Sequence, residues 1–155
     1  MFISIVIPTY NRRKILEKCL LALENQKLCP EINEYEIVVV DDGSTDGTPN
    51  WLRKESASFP HVRLLEQDHG GPAEARNRGV IHSFGEIIIF IDSDLVVLPS
   101  FLRYHIKALT QFWERRGNRL CFTYGSVINT SNFDSPISED YKLQDISFAY
   151  FATGN

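Results

Sequence analysis

The residues with the types and spacing to do chemistry cluster at the ends of apolar runs. Asp92 and Asp94 form an Asp-x-Asp within Glu86 to Leu98, directly after the apolar run Ile87 to Ile91. Two nearby carboxylates are hard oxygen donors, suited to Mg2+ or Mn2+ held partly by protein and partly by substrate phosphate oxygens. The bland alternative is a turn cap at Asp92 and a solvated loop acid at Asp94. Asp41 and Asp42 close a second apolar run and open Gly43-Ser44-Thr45-Asp46-Gly47. There a carboxylate can shape a turn through Asx-type bonds to Gly43 and Ser44, face a ligand, or divide the two tasks with its neighbour. Tyr10 is either a stacking platform for a flat ring or a plain surface aromatic. Arg76 and Arg78 follow Gly70-Gly71-Pro72, where a guanidinium and a positive helix end could both meet a diphosphate, or where both could belong to a solvated basic face. His69 lies beside that glycine pair. His61, His82 and His105 read as ordinary polar histidines, and Trp51 and Trp113 as packing residues.

Elements must bring these groups together. An uninterrupted apolar run such as Ile87 to Ile91 is what a strand buried on both faces needs, as at the centre of a parallel sheet. Strands are expected at Phe2 to Ile7 (stopped by Pro8), Tyr35 to Val40, Val62 to Leu65, Glu86 to Ile91 and Leu120 to Ile128. Helices are expected between them: one carrying Ile15, Leu16, Cys19, Leu20 and Leu23 on one face, a short one at about Thr48 to Glu55, one opened by Pro72 with Gly85 past its end, and one from Pro99 to about Arg115. Alternating strand and helix imply an α/β fold with a mostly parallel sheet and helices on both faces. If the fourth strand returns beside the first, the order is 3-2-1-4 plus further strands. Thr9, Tyr10, Asp41, Asp42, Asp92 and Asp94 then share the crevice at the carboxyl edge.

Composition narrows the function classes. With 155 residues, 43% of them hydrophobic, the chain has material for one domain with a core. The net charge of -4, with no basic run longer than Arg12-Arg13-Lys14, gives no argument for nucleic acid. No apolar run reaches the roughly 18 residues needed to span a bilayer, and the opening MFISIVIP reads as a strand, not a signal peptide. Cys19, Cys29 and Cys121 read as reduced thiols, so the expected location is cytoplasmic, with membrane association through other regions or partners left open. A calcium loop fails because Val97 stands where glycine is needed and Arg103 where glutamate is needed. A dinucleotide-binding reading fails because no Gly-x-Gly-x-x-Gly follows the first strand.

The series SIVIPTYNR, EIVVVDDGSTDGT, GGPAEARNRG and GEIIIFIDSDLVV, in that order, resembles the nucleotide-binding half of the family 2 glycosyltransferases, which have the GT-A fold. The resemblance is strong over about Phe2 to Leu98 and looser beyond. It implies sugar transfer from a nucleotide-diphosphate donor, a UDP-sugar by expectation, to a sugar, lipid-linked or polysaccharide acceptor, with inversion at the anomeric carbon and a divalent metal, Mn2+ or Mg2+. It also implies a role in cell wall or polysaccharide biosynthesis. Carried over by motif, Pro8, Thr9, Tyr10, Asp42 and Ser93 belong to the nucleotide site and Asp41 supports the loop. Arg76 lies near base and diphosphate, Asp92 near the ribose, and Asp94 on the metal. Gly154 and Asn155 resemble the segment that enters the acceptor side. Residues 1–129 are then the donor-binding domain and 130–155 the start of an acceptor-side segment. The general base of this family lies beyond the Gly-Asn segment, so none is assigned to Glu139, Asp140 or Asp145. The expectation is a donor-binding portion of a longer enzyme, with the oligomeric state open. The rival readings are a haloacid dehalogenase-like phosphatase with Asp92 as nucleophile and Asp94 as acid/base, and a non-catalytic nucleotide-sugar-binding module.

Overall fold

In the computed structural model, which describes residues 1–127 and the backbone of 149–152, the run FISIVIPT forms strand β1 (Phe2–Thr9). It is followed by α1 (Arg13–Glu24), β2 (Glu34–Asp41), α2 (Thr48–Lys54), β3 (Val62–Glu66), α3 (Pro72–Ile81) and β4 (Ile87–Phe90). These elements make the first of two compact units, Met1–Pro99. Its sheet is parallel with the order β3-β2-β1-β4, as the alternation of strand and helix predicts. The second unit, Ser100–Asn155, contains α4 (Phe101–Arg116) and the antiparallel pair β5 (Cys121–Tyr124) and β6 (Ala149–Ala152). Within it, His105 Nδ1 lies 2.7 Å from Thr123 Oγ1, tying helix to strand. Strand β6, Ala-Tyr-Phe-Ala, is a strand for which the sequence reading gave no expectation. Expectations for Gly154 and Asn155, and for Glu139, Asp140 and Asp145, lie outside the described residues.

Side chains alternate across a strand, so each sheet face can be read from the register. Ile3, Ile5 and Ile7 of β1 share a face with Tyr35, Ile37 and Val39 of β2, and all are buried. Helix α1 covers this face with Leu16, Cys19, Leu20 and Leu23, and the Tyr35 hydroxyl donates to the Leu23 carbonyl at 3.0 Å. On the opposite face Val6, Val38 and Val40 pack against Ala75 of α3, flanked by Leu65 and Ile88. Gly79 permits that approach, since a Cβ there would run into the Val6 side chain and meet Val40 Cγ2 at 3.2 Å. Trp51 is buried edge-on to Phe59, ring centroids 5.7 Å apart, as a packing residue.

Two expectations about strands change. Pro8 does not stop β1, which continues to Thr9. Pairing of β1 with β4 ends at Val6 and Phe90, so the missing N–H of Pro8 falls where that ladder has finished. The run Ile87 to Ile91 is not buried on both faces: among the described residues β4 is an edge strand, Ile87 to Ile89 are half-buried, and Phe90 is 53% exposed.

The amino end of the sheet is closed by a buried polar knot. Glu36 accepts from Ser4 Oγ at 2.6 Å, the Phe84 amide at 2.8 Å, and Arg63 Nε and Nη2 at 3.1 and 2.9 Å. Arg63 also donates to the His82 carbonyl and lies over the Phe84 ring, 4.7 Å from its centroid. The Gly85 amide donates to Ser4 Oγ at 2.8 Å. Gly85 therefore does not end α3, whose last residue is Ile81. It lets the turn before β4 lie against β1, where any Cβ would overlap the Ser4 amide and come within 2.7 Å of Ser4 Oγ. Burial by itself would raise the Glu36 carboxyl, but the bonds from Ser4, Phe84 and Arg63 hold it below the ordinary glutamate value. A carboxyl depressed in the folded state adds stability above its unfolded value, near 4.3, and loses it as pH falls through the folded value. Glu36→Gln should therefore lower stability at pH 7 and flatten the acid limb of a urea-unfolding stability profile between about pH 5 and 3. An acid limb identical to that of wild type would refute this role.

Candidate functional site

The carboxyl edge gathers the loops after β1, β2, β3 and β4. The first contact is in register: Thr9 pairs with Asp41 at the last step of β1 and β2, and the Asp42 amide donates to the Thr9 carbonyl at 2.9 Å. Asp41 shapes the turn as one of its two readings requires, with Oδ2 accepting the Ser44 amide at 2.8 Å. Its Oδ1 and Thr9 Oγ1 are buried without a hydrogen-bond partner among the described residues, leaving polar capacity at this edge.

Asn11 joins the first two loops. It holds a left-handed conformation, φ 52°, which asparagine tolerates better than most residues. Its Oδ1 accepts the Thr45 and Asp46 amides at 2.7 and 3.2 Å, and its own amide donates to Ser44 Oγ at 2.9 Å. Asp46 in turn accepts the Arg13 amide at 3.0 Å and the Thr48 amide at 3.0 Å, linking the starts of α1 and α2.

Asp42 is the hub of the third loop. It is 2% exposed, and its Oδ1 accepts Gln67 Nε2 at 2.7 Å and the Gly70 amide at 2.8 Å. Oδ2 accepts the Gly71 amide at 2.9 Å, and His69 Nδ1 stands 2.8 Å from it. The His69 ring stacks on Tyr10, centroids 4.2 Å apart and planes 27° apart. Both groups near Nδ1, the Asp42 carboxylate and the Asp42 carbonyl at 3.1 Å, are acceptors, so Nδ1 carries the hydrogen. Burial would raise the Asp42 carboxyl. The Gly70, Gln67 and Gly71 donors, with His69, instead hold it below the usual aspartate value.

The Asp-x-Asp is organised by two arginines from different elements. Arg76, on the second turn of α3, places Nη2 2.5 Å from Asp92 Oδ1. Arg12, just before α1, places Nη1 2.6 Å from Asp94 Oδ2. Both carboxylates remain open to solvent, with side chains 59% and 40% exposed. Ser93 between them is buried. Cys19 lies beneath, its Sγ 3.9 Å from the Asp92 carbonyl oxygen. Burial first, then the charges of Asp94 and Asp92, push its thiol up to about 12, so it is no nucleophile.

Of the residues singled out from sequence, Thr9, Tyr10, Asp41 and Asp42 adjoin through these contacts, and Arg76, Asp92 and Asp94 gather at the β4 end. Pro8 stands in β1 next to Thr9. Arg78 is elsewhere: it lines an open concavity with Glu66, Gln67, Asp68 and Glu74. Sequence reasoning missed Arg12, visible only as the start of a short basic run, and Asn11, whose signal was its place in Thr-Tyr-Asn between strand and helix. Gln67 had no signal at all.

The fold and this edge define the class, a glycosyltransferase of the GT-A type. The structure of a mannosyltransferase from Pyrobaculum calidifontis, in complex with GDP-Man and Mn2+, superposes with a TM-score of 0.68 at 27% identity, covering 86% of this chain and 37% of that one. Staphylococcus aureus TarS residues 1–349, in complex with UDP-GlcNAc, give a TM-score of 0.62 at 27% identity over 84% of this chain and 38% of that one. Residues 4–115 match the family described as Glycosyl transferase family 2, and the chain belongs to that family. The uncharacterized glycosyltransferase YfnE of Bacillus subtilis is 39% identical over 105 residues, 68% of this chain but 26% of YfnE. The chain thus spans about a quarter of that relative's length. Membership of the family removes the phosphatase reading of Asp92 and Asp94. No helix among the described residues is long and apolar enough to cross a membrane.

Asp42→Asn tests the hub. An amide turns one acceptor into a donor facing N–H groups, which should cost about 1 to 3 kcal/mol in urea unfolding. The amides of Gly70 and Gly71 should exchange with deuterium markedly faster. Unchanged protection of those amides would show that the loop does not depend on Asp42.

Proposed function

We propose that this chain is the donor-binding portion of a metal-dependent, inverting glycosyltransferase, taking a nucleotide-diphosphate sugar, by preference a UDP-sugar. The observation that carries this reading is the pairing of each Asp-x-Asp carboxylate, itself open to solvent, with a guanidinium from a different element. Exposed ion pairs of this kind are worth little, about 0 to 1 kcal/mol, so both acids can exchange one cation for another at small cost. Relatives in complex with UDP-GlcNAc or with GDP-Man and Mn2+ support the substrate class.

The residues fit a divalent ion of the Mg2+ or Mn2+ kind. Among the described residues no group of three or more His, Cys, Asp or Glu forms a protein cage, so Asp94 would hold the ion and the diphosphate and water would complete its oxygen shell. When bound, such an ion supplies positive charge that offsets the charge growing on the departing nucleoside diphosphate. The chain's own residues do the rest of the positioning. Tyr10 offers a ring face, and Thr9 and Asp42 offer polar atoms to the nucleoside, with Pro8 and Ser93 shaping the walls. Asp41 keeps the loop closed. Asp92 accepts from the ribose, and Arg76, released from Asp92, meets the diphosphate as a fork of N–H donors. Arg12 would give up Asp94 to such an ion. Residues 1–129 form the donor side, and Gly154 and Asn155 belong to the acceptor side, where a sugar, lipid-linked or polysaccharide hydroxyl attacks opposite the leaving group.

A thermal-shift series with UDP, GDP, dTDP and CDP, each with and without Mn2+, checks this reading. At least one nucleotide should raise Tm only when Mn2+ is present, because a ligand of the native state stabilises it. Asp94→Ala should abolish the Mn2+ dependence. Arg12→Ala should keep it and lower the Mn2+ dissociation constant several-fold, read by electron paramagnetic resonance of free Mn2+. Undiminished Mn2+ dependence in Asp94→Ala would remove Asp94 from the metal.

A further inference from the structure

In the free protein the two groups assigned to the nucleobase are already engaged, and by one side chain. The imidazole of His69 lies on the ring of Tyr10 at 4.2 Å, and its Nδ1 donates to the Asp42 carbonyl at 3.1 Å while standing 2.8 Å from Asp42 Oδ2. A flat heterocycle with an N–H beside the ring face of Tyr10 is also what a nucleobase would bring. We propose that His69 is an internal stand-in for the base: donor binding exchanges the imidazole for the nucleobase, so His69 sets how tightly, and at what cost, the nucleotide is taken.

The crowding at Asp42 supports an exchange over an addition. A carboxylate has about four acceptor directions; Gln67 Nε2 and the Gly70 and Gly71 amides use three, and the imidazole of His69, with Nδ1 2.8 Å from Oδ2, stands over the other. A base N–H can reach Asp42 only if one of these neighbours leaves. Two of them are backbone amides fixed at the start of α3. Gln67 is fixed through its own amide, which donates to the Asp41 carbonyl at 2.9 Å. His69 is the exception, its side chain 57% exposed and, among the described residues, held by Tyr10 and Asp42, so rotation about its side-chain bonds frees both at once. Gly43 keeps the loop close enough for this contact, since a Cβ there would lie 3.1 Å from the His69 amide nitrogen.

The inference rests on Tyr10 and Asp42 being the base site, and the experiment separates the two. UDP, GDP and inorganic pyrophosphate are titrated calorimetrically, with Mn2+, into wild type and His69→Ala. Removing the stand-in should tighten UDP or GDP by about tenfold, equivalent to about 1.4 kcal/mol, and leave pyrophosphate, which has no base, unchanged. In wild type, the His69 ring protons should be shifted upfield by Tyr10 and should move toward free-imidazole positions as the nucleotide is added. This second readout holds even if the variant folds poorly. Nucleotide binding that is unchanged or weaker in His69→Ala, or tightened equally for pyrophosphate, overturns the role of His69 alone. Failure of both nucleotides to bind either protein, while pyrophosphate binds, overturns the base site and the inference with it.

Discussion

Everything at the candidate site depends on the in-register parallel pairing of β1 with β2 on one side and β4 on the other. On the face of these strands built from Ile3, Ile5, Ile7, Ile37 and Val39, all fully buried, there is no place for an acid. The acids of the site begin where the ladder ends, and parallel pairing makes those ends coincide. Thr9 faces Asp41 because Phe2 faces Glu34, with no bulge between. The acids are therefore not brought together by attraction, which would be repulsive among them. They are brought together by the apolar strands behind them, and the arginines and loop amides then neutralise what the strands have assembled.

That neutralisation takes a different form at each acid. Asp42 is buried and meets fixed backbone amides, so its charge holds the loop after β3 against the loop after β2. Asp92 and Asp94 are exposed and meet flexible guanidinium groups, so their charge is available for exchange. Coulomb attraction at a similar separation is several times weaker near solvent than in the interior, which is why pairs of similar length serve such different purposes.

The sheet order and the clustering of loops were legible because they follow from period and alternation. Apolar runs bounded by turn residues identify strands, and right-handed crossovers leave few topologies. Conformation within loops was less legible. Asp41 and Asp42 look alike in sequence, yet one makes an Asx turn and the other collects three donors from a loop more than twenty residues away. Arg12 was hidden because a basic residue before a helix has many uses, and only the position of β4 beside β1 brings Asp94 within its reach. The edge position of β4 was also misread, because Ile, Ile, Ile and Phe carry the same apolar signal whether one or both faces are covered. Gly85 looked like a helix terminator because the Pro-in, Gly-out pattern fits it. Its actual constraint is the Ser4 backbone, a contact with a residue at the other end of the unit's sequence.

That constraint reaches further than local packing. Strand β4 is short, and at about 3.3 Å per residue its length carries the knot at Ser4, Glu36 and Gly85 to the acids at its far end. Side chains in a strand alternate, so a slip of a single residue would present Ile91 and Ser93 where Asp92 and Asp94 now stand. The knot works as an index mark that sets the phase of the strand. A fault there could leave a folded protein with an intact sheet and the wrong side chains at its rim, so that a defect in metal or nucleotide handling would trace back to a glycine on the opposite side of the sheet.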